Sequence, residues 1–265
     1  MSLADKRLFL LDMDGTIYND NTLFDRVNEF LDFVEGRGGR YIFITNNSSR
    51  SVEDYVKKLS AMGVRVTKDS FFTSAQATAL YIRENYPDTL FYCVGTKSLV
   101  SELEGMGVKV TTLPQNGAQG VLVGYDTELT YEKVREASRL LQNNEGIPYI
   151  ATNPDRVCPT DFGSAPDCYA ICQMLKFAVG RDPVYIGKPD AFMIKYAVGM
   201  TDYTARQTVV VGDRLYTDIA SGVNAGVDTV CVLSGESSIE DIEKSEVKPA
   251  FVLKDIGELL DRIRK

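Results

Sequence analysis

The 265-residue chain contains no histidine and no tryptophan. The absence of histidine excludes Ser-His-Asp and Cys-His catalytic groups, and it excludes zinc or haem iron bound through imidazole. A general acid or base in this protein must therefore be a carboxyl, lysine, tyrosine or cysteine side chain.

Cysteine is scarce, and its spacing matches no common metal or redox motif. The five cysteines are Cys93, Cys158, Cys168, Cys172 and Cys231. Because no two of them form a Cys-x-x-Cys pair, a zinc ribbon or a thioredoxin-like site is not expected. An odd number of scattered cysteines fits a reducing compartment, so we expect a cytoplasmic protein.

Long apolar runs and an excess of basic residues are also missing. No run approaches the roughly 18 apolar residues of a membrane-spanning helix, and the short apolar stretch at the start soon becomes acidic, unlike a signal peptide. The chain has 29 basic and 37 acidic residues, which gives a net charge of −8. This balance argues against a nucleic-acid partner, which requires a basic face, but it permits a small anionic substrate in a locally positive pocket.

The residues that are present predict an α/β fold. Apolar residues make up 44% of the chain and charged residues 25%, which is typical of a globular protein of one large or two smaller domains. Continuous apolar runs at 8–11 and 41–44 predict strands buried on both faces of a parallel sheet, and Thr208-Val-Val-Val211 predicts a further strand. Amphipathic segments lie between these strands. The segment from about 79 to 181 alternates in the same way and is also predicted to be α/β.

Two carboxylates follow the first predicted strand. Asp12 and Asp14 lie two residues apart, at the strand end where open α/β sheets place ligands. Such a pair suits coordination of Mg²⁺, or a division of roles between a nucleophile and a general acid or base. Taken alone, the segment is equally explained as an Asp-Gly turn without catalytic function.

Three further polar segments extend this pattern. Thr45 and Asn46 follow the second predicted strand and offer uncharged donors that suit phosphate oxygens. Lys188 supplies positive charge before a proline at the predicted start of a helix. Asp213 and Asp218 follow the third predicted strand, where one of them can complete a metal site. Each segment is also explained singly as a turn, a cap or surface charge, but the combination favours a functional site.

Together these segments resemble the four motifs of the haloacid dehalogenase-like (HAD) phosphatases. The chain contains, in the order of that family, Asp12-Met13-Asp14-Gly15-Thr16, Thr45-Asn46, Lys188-Pro189 and Gly212-Asp213 with Thr217-Asp218. The first two motifs are too close for a domain between them, whereas the second and third are far apart. This spacing resembles the type IIA caps of the NagD-like and 4-nitrophenyl phosphatase family.

The resemblance implies a fold and a domain organisation. The expected fold is α/β, with a Rossmann-like parallel-sheet core and an inserted α/β (type C2a) cap domain. Residues 1–78 and 182–265 would form the catalytic core, and residues 79–181 would form the cap. The resemblance also allows a homodimer through the cap.

The resemblance further implies a role for each motif residue. Asp12 would attack phosphorus and become an aspartyl phosphate, while Asp14 would act as general acid and then as general base. Thr45, Asn46 and Lys188 would bind the phosphoryl oxygens.

A magnesium ion is the cofactor that the resemblance implies. It would be held by the Asp12 carboxylate, the Asp14 carbonyl and Asp213, and Asp218 would support this ligand set. The expected reaction is Mg²⁺-dependent hydrolysis of a small phosphorylated metabolite. A phosphotransferase with the same intermediate and a non-catalytic phosphometabolite-binding protein stay open as alternatives. The presence of Asp14 argues against a dehalogenase, and the absence of a cap between the first two motifs argues against a mutase.

Candidates for substrate contact in the cap are Asn153 and Asp155. The alternative is an Asn-Pro-Asp turn that is capped by its own side chains. Shortly after this segment, residues 166–170 differ from the Pro-Gly-x-Gly-Ser sequence of many relatives, because both glycines are replaced. Larger side chains and a less flexible backbone predict an altered substrate pocket.

Overall fold

The computed structural model describes residues 2–113, 116–160 and 162–265. The chain divides into two compact units. The core unit comprises Met1–Thr45, Val56–Phe72 and Lys188–Lys265, and the inserted unit comprises Asn46–Tyr55 and Thr73–Gly187. The domain boundaries that the motifs imply, 1–78 with 182–265 and 79–181, stay a prediction.

The described residues form short strands and helices that alternate along most of the chain. The strands are β1 (Leu8–Leu11), β2 (Tyr18–Asn19), β3 (Thr22–Leu23), β4 (Arg40–Thr45), β5 (Phe71–Thr73), β6 (Phe91–Val94), β7 (Val110–Thr111), β8 (Gly120–Val123), β9 (Tyr149–Ala151), β10 (Val157–Thr160), β11 (Gly163–Pro166), β12 (Val184–Tyr185), β13 (Thr208–Gly212), β14 (Asp228–Val232) and β15 (Phe251–Leu253). The helices are α1 (Val27–Gly36), α2 (Val52–Ala61), α3 (Ser74–Asn85), α4 (Lys97–Gly105), α5 (Tyr131–Asn143), α6 (Cys168–Val179), α7 (Phe192–Gly199), α8 (Ala220–Ala225), α9 (Ile239–Lys244) and α10 (Ile256–Ile263).

The larger sheet has the strand order β15-β14-β13-β1-β4-β5. Strand β1 pairs in parallel with β13 on one side and with β4 on the other. From β1 the chain builds the sheet outward through β4 and β5, and it later returns to build the other side through β13. The strand order therefore reverses beside β1, and open α/β sheets bind ligands at such a point, outside the carboxyl ends of the strands.

Apolar residues explain why β1 occupies the middle of this sheet. All four of its residues are buried, as expected for a strand that is covered on both faces. Helix α1 covers one face with Val27, Phe30, Leu31 and Val34, which have the spacing of one helical face. The ring of Phe30 meets the ring of Phe9 edge to face, with centroids 5.3 Å apart.

The inserted unit contains a second parallel sheet with the order β12-β9-β8-β6-β7. One cluster of its buried side chains comes mostly from β6, β8, β9, α5 and α6. An antiparallel ribbon of β10 and β11 belongs to the same unit. The predicted α/β architecture, with a parallel-sheet core and an inserted α/β region, is confirmed.

Two local features differ from the sequence pattern. A small ribbon of β2 and β3 follows the first motif, where the sequence pattern predicts only an amphipathic segment between two strands. The segment that follows β13 is not one regular helix, because it begins with a π-helical turn, Leu215–Ile219, and continues into α8. Wider turns of this kind occur often at functional sites, and this one contains Asp218. Within the parts of the chain that the structure describes, no helix has the length and apolar character needed to cross a membrane.

Replacing Phe30 with alanine should destabilise the core unit. The ring is fully buried against Phe9, and removing it leaves a cavity that typically lowers the free energy of unfolding by about 3–5 kcal/mol. Phe177→Ala is the matched control, because its ring is 91% exposed and its loss should change stability by less than about 0.5 kcal/mol. Urea denaturation of both variants measures the difference, and equal effects would contradict the packing described for Phe30.

Candidate active site

The candidate site lies at one edge of the larger sheet. Asp12 directly follows β1, Thr45 ends β4, and Asp213 directly follows β13. These three strands are neighbours and run in parallel, so their carboxyl ends meet at the same edge. The sheet thereby brings together residues that lie far apart in the sequence.

A buried lysine joins the carboxylates at this edge. The Lys188 Nζ donates hydrogen bonds to Asp12 Oδ1 at 2.6 Å, to Asp218 Oδ1 at 2.5 Å and to the carbonyl oxygen of Ile44 at 3.0 Å. Burial lowers the pKa of the Lys188 ammonium, but the neighbouring Asp12 and Asp218 carboxylates outweigh it and raise the pKa above its ordinary value. The lysine is therefore a fixed positive charge in the site.

Three acidic side chains converge around this lysine. One ligand atom from each of Asp12, Asp213 and Asp218 lies within 4.8 Å of the others. Burial and the charge of Asp218 raise the pKa of Asp12, although Lys188 opposes them. Burial and Asp218 likewise raise the pKa of Asp213 to about 7. The cluster thus concentrates more negative charge than one ammonium balances.

Asp213 occupies a narrow space between two glycines. Its Oδ2 accepts a hydrogen bond from the backbone N–H of Glu236 at 2.7 Å. A Cβ on Gly15 or Gly235 would approach Asp213 Oδ2 to 2.5 or 2.0 Å, and Gly15 has φ +82°, which favours glycine. The other oxygen, Oδ1, is buried and has no hydrogen-bond partner among the described residues.

This environment fits a hard cation. A buried carboxylate oxygen without a hydrogen-bond partner is costly in a folded protein. Carboxylate oxygens are the ligands that Mg²⁺ and Ca²⁺ prefer. The donor set around Asp213 therefore fits a divalent metal site, and it agrees with the acidic ligands that the motifs predict.

Asp14 lies beside this cluster and is more exposed. Its side chain is 41% exposed, in contrast to the buried Asp213 and Asp218. Asp14 Oδ2 accepts a hydrogen bond from the Tyr18 hydroxyl at 3.1 Å, and Asp14 Oδ1 lies 4.0 Å from Lys58 Nζ. Sequence reasoning did not find Tyr18 or Lys58. Nothing in the motif pointed to Tyr18, and Lys58 lies in another part of the sequence.

Asn46 belongs to the inserted unit and is held there by both cap candidates. Asn153 Nδ2 donates to the Asn46 carbonyl oxygen at 2.8 Å, and Asn46 Nδ2 donates to Asp155 Oδ1 at 2.8 Å. All three side chains are buried. The backbone N–H of Asp155 also donates to Asn153 Oδ1 at 3.0 Å, which is the side-chain cap of the alternative interpretation, the Asn-Pro-Asp turn. A role of Asn153 and Asp155 in substrate contact stays a prediction.

Residues 166–170 have a local structural function in this fold. Asp167 is the N-cap of α6, and its side chain accepts a hydrogen bond from the Cys168 N–H. The Asp167 N–H donates to the Arg156 carbonyl, and the Tyr169 N–H donates to the Asp155 carbonyl. The residues that replace the family's glycines thus connect the start of α6 to the turn that contains Asp155.

Comparisons with known proteins agree with this arrangement. A family model for haloacid dehalogenase-like hydrolases matches residues 9–109, and a second, HAD-hydrolase-like model matches residues 185–259. These two ranges contain all four motifs. The segment between them corresponds to most of the inserted unit.

Three similar proteins match almost the whole chain. The acid sugar phosphatase of Staphylococcus saprophyticus is 33% identical over 99% of this chain and 100% of its own. The crystal structure of 4-nitrophenylphosphatase from Thermotoga maritima has a TM-score of 0.93 and 37% identity over 98% of both chains. Glycerol phosphate phosphatase of Mycobacterium tuberculosis, solved in complex with magnesium, has a TM-score of 0.90 and 29% identity over 97% of this chain and 78% of its own.

The two family models cover all four motifs, and the similar proteins match almost the whole chain. The family expected from the sequence is therefore confirmed. The chain belongs to the haloacid dehalogenase-like superfamily and is a phosphatase of its NagD-like and 4-nitrophenyl phosphatase family.

Proposed function

We propose that the protein is a Mg²⁺-dependent phosphatase that hydrolyses small phosphomonoesters through an aspartyl phosphate on Asp12. The main support is the cluster in which Lys188 joins Asp12 and Asp218 while Asp213 lies beside them. Phosphoryl transfer depends chiefly on positioning and on charge stabilisation. The cluster offers a carboxylate nucleophile, a fixed positive charge and a set of metal ligands within one small volume.

In the first half-reaction, Asp12 attacks the phosphorus of the ester. A bond forms between a carboxylate oxygen of Asp12 and phosphorus as the bond between phosphorus and the ester oxygen breaks. Asp14 gives its proton to the departing oxygen, so that an alcohol leaves. Asp14 is suited to this role because it is exposed, whereas Asp213 and Asp218 are buried.

In the second half-reaction, water replaces Asp12 on phosphorus. Asp14, now ionised, accepts a proton from the water as the water oxygen bonds to phosphorus. The bond between phosphorus and Asp12 breaks, which releases phosphate and restores both carboxyl groups. In a protein without histidine, a carboxyl group is one of the side chains that can perform this exchange.

The remaining motif residues are proposed to bind the phosphoryl group. Lys188 contributes positive charge next to the nucleophile. The Thr45 hydroxyl, at the end of β4, and the Asn46 N–H would donate hydrogen bonds to the phosphoryl oxygens. Such donors stabilise charge that develops in the transition state.

Mg²⁺ is the proposed cofactor. The Asp12 and Asp213 carboxylates and the Asp14 carbonyl would hold it, and Asp218 would support these ligands from its place beside Lys188. When bound, the ion neutralises negative charge so that an anionic carboxylate can approach an anionic phosphate. The unpartnered Oδ1 of Asp213 supports this assignment, as does the magnesium complex of a similar phosphatase.

Small phosphorylated metabolites, such as sugar phosphates, are the proposed substrates. The relatives described above are named acid sugar phosphatase, 4-nitrophenylphosphatase and glycerol phosphate phosphatase. Transfer of the phosphoryl group to an added alcohol would instead indicate a phosphotransferase, and product analysis distinguishes the two. A homodimer through the cap stays a prediction.

Asp12→Asn should abolish turnover. The amide lacks the anionic oxygen that attacks phosphorus, so phosphate release from 4-nitrophenyl phosphate and from a sugar phosphate should fall by about a thousandfold or more. In acid-quenched wild-type protein, hydroxylamine should release enzyme-bound phosphate, as expected for an acyl phosphate. Circular dichroism checks the fold of the variant. Retained activity in a folded variant would disprove the role of Asp12.

Magnesium should stabilise the protein through the carboxylate cluster. A ligand that binds only the folded state raises the melting temperature, and we expect a rise of about 5 °C at saturating Mg²⁺. Asp213→Asn should remove most of this rise, because it takes away a buried ligand. Asp88→Asn should keep it, because Asp88 is 94% exposed and pairs only with Lys109 among the contacts described. An unchanged rise in the Asp213 variant would contradict the proposed site.

Asp155→Asn tests whether the cap candidates act through Asn46. The substitution weakens the hydrogen bond from Asn46 Nδ2. If Asp155 only positions Asn46, kcat/KM should fall by about the same factor, roughly five- to tenfold, for every ester. We expect this result. Direct contact with the substrate would instead give factors that differ between 4-nitrophenyl phosphate and sugar phosphates.

A further inference from the structure

Tyr18 is tied to Asp14 by both its backbone and its side chain. The Gly15 N–H donates to the Tyr18 carbonyl at 2.9 Å, which closes the loop after β1. The Tyr18 hydroxyl donates to Asp14 Oδ2 at 3.1 Å. Because the Tyr18 side chain is fully buried, its hydroxyl is a fixed donor rather than a mobile surface group.

Lys58 lies close to both Tyr18 and Asp14. Its Nζ lies 3.9 Å from the centroid of the Tyr18 ring and 4.0 Å from Asp14 Oδ1. A cation over an aromatic face is attracted to the ring, and the Lys58 side chain is only 15% exposed. Lys58 therefore fixes the ring of Tyr18 and adds a positive charge near the second oxygen of Asp14.

We propose that Tyr18 is the positioning residue for Asp14 and that Lys58 keeps Tyr18 in place. This inference rests on the proposed function, in which Asp14 exchanges a proton with the ester oxygen and then with water. A general acid must lie within hydrogen-bond reach of the atom that it protonates. An exposed aspartate has several accessible rotamers, and the bond to Tyr18 restricts it to one of them.

The two oxygens of Asp14 then have separate functions. Tyr18 binds Oδ2, and Oδ1 is the oxygen that exchanges the proton. In the first step the proton leaves Oδ1 for the ester oxygen as the bond from phosphorus to that oxygen breaks. In the second step a proton from water returns to Oδ1, so the charge on Asp14 is restored after one cycle.

The test compares two esters that differ in whether the leaving group must be protonated as it departs. The 4-nitrophenolate anion is a stable leaving group, whereas a sugar alkoxide must be protonated as it departs. The value of kcat/KM reports the steps up to departure of this group. In Tyr18→Phe, which keeps the ring, kcat/KM should fall by about tenfold for a sugar phosphate and less than about twofold for 4-nitrophenyl phosphate.

Matched variants separate this effect from a general loss of packing. Tyr41→Phe removes another buried hydroxyl of the core unit, which donates to the Arg65 carbonyl. This variant should leave kcat/KM unchanged for both esters. Lys58→Met should also lower kcat/KM for the sugar phosphate more than for 4-nitrophenyl phosphate, by a smaller factor than Tyr18→Phe does. Lys57→Met, at the exposed neighbouring position, should have no such effect.

Asp14→Asn distinguishes failure of this inference from failure of the proposed function. One outcome is that Asp14→Asn lowers kcat/KM more for the sugar phosphate than for 4-nitrophenyl phosphate, while Tyr18→Phe lowers kcat/KM equally for both esters or for neither. This outcome would overturn only the positioning role of Tyr18. If Asp14→Asn lowers kcat/KM for both esters by the same factor, the acid role of Asp14 is overturned together with this inference. A wild-type protein without Mg²⁺-dependent phosphate release would overturn the proposed function itself.

Discussion

One buried ammonium group determines how the candidate active site is assembled. Lys188 lies in the segment after β12, yet it binds Asp12 at the end of β1 and Asp218 in the π-helical turn after β13. A buried charge that loses its partner typically costs about 3–5 kcal/mol. The three side chains therefore depend on one another, and the ends of the central strands must stay in register for the lysine to reach both carboxylates.

The charges in this cluster bear on how an acidic protein can bind an anionic substrate. The chain has a net charge of −8, and the acids around Lys188 outnumber the cation. Burial and the neighbouring carboxylate of Asp218 raise the pKa of both Asp12 and Asp213. A divalent cation bound here would offset this negative charge, so that local groups rather than net charge would govern the approach of a phosphate.

The second motif is divided between the two compact units. Thr45 ends a strand of the core unit, whereas Asn46 belongs to the inserted unit, where Asn153 and Asp155 bind its side chain and its carbonyl. The Asn-Pro-Asp segment therefore holds Asn46 in place, which a turn motif alone does not reveal. Asp167 and Tyr169 extend the same network through backbone hydrogen bonds. The altered residues at 166–170 are therefore part of the support for this turn.

The sequence by itself determined the buried strands, the order of the four motifs and the place of the insertion. Continuous apolar runs encode burial on both faces locally, and the absence of histidine limits the general acid or base to a carboxyl, lysine, tyrosine or cysteine side chain. Only the tertiary structure decided that Lys188 bridges Asp12 and Asp218, that Asn153 and Asp155 bind Asn46, and that Tyr18 and Lys58 lie beside Asp14. Contacts between residues distant in the sequence depend on strand order and on the direction of each side chain. Local periodicity carries no information about either, because it describes a segment and its own faces and not its neighbours in space.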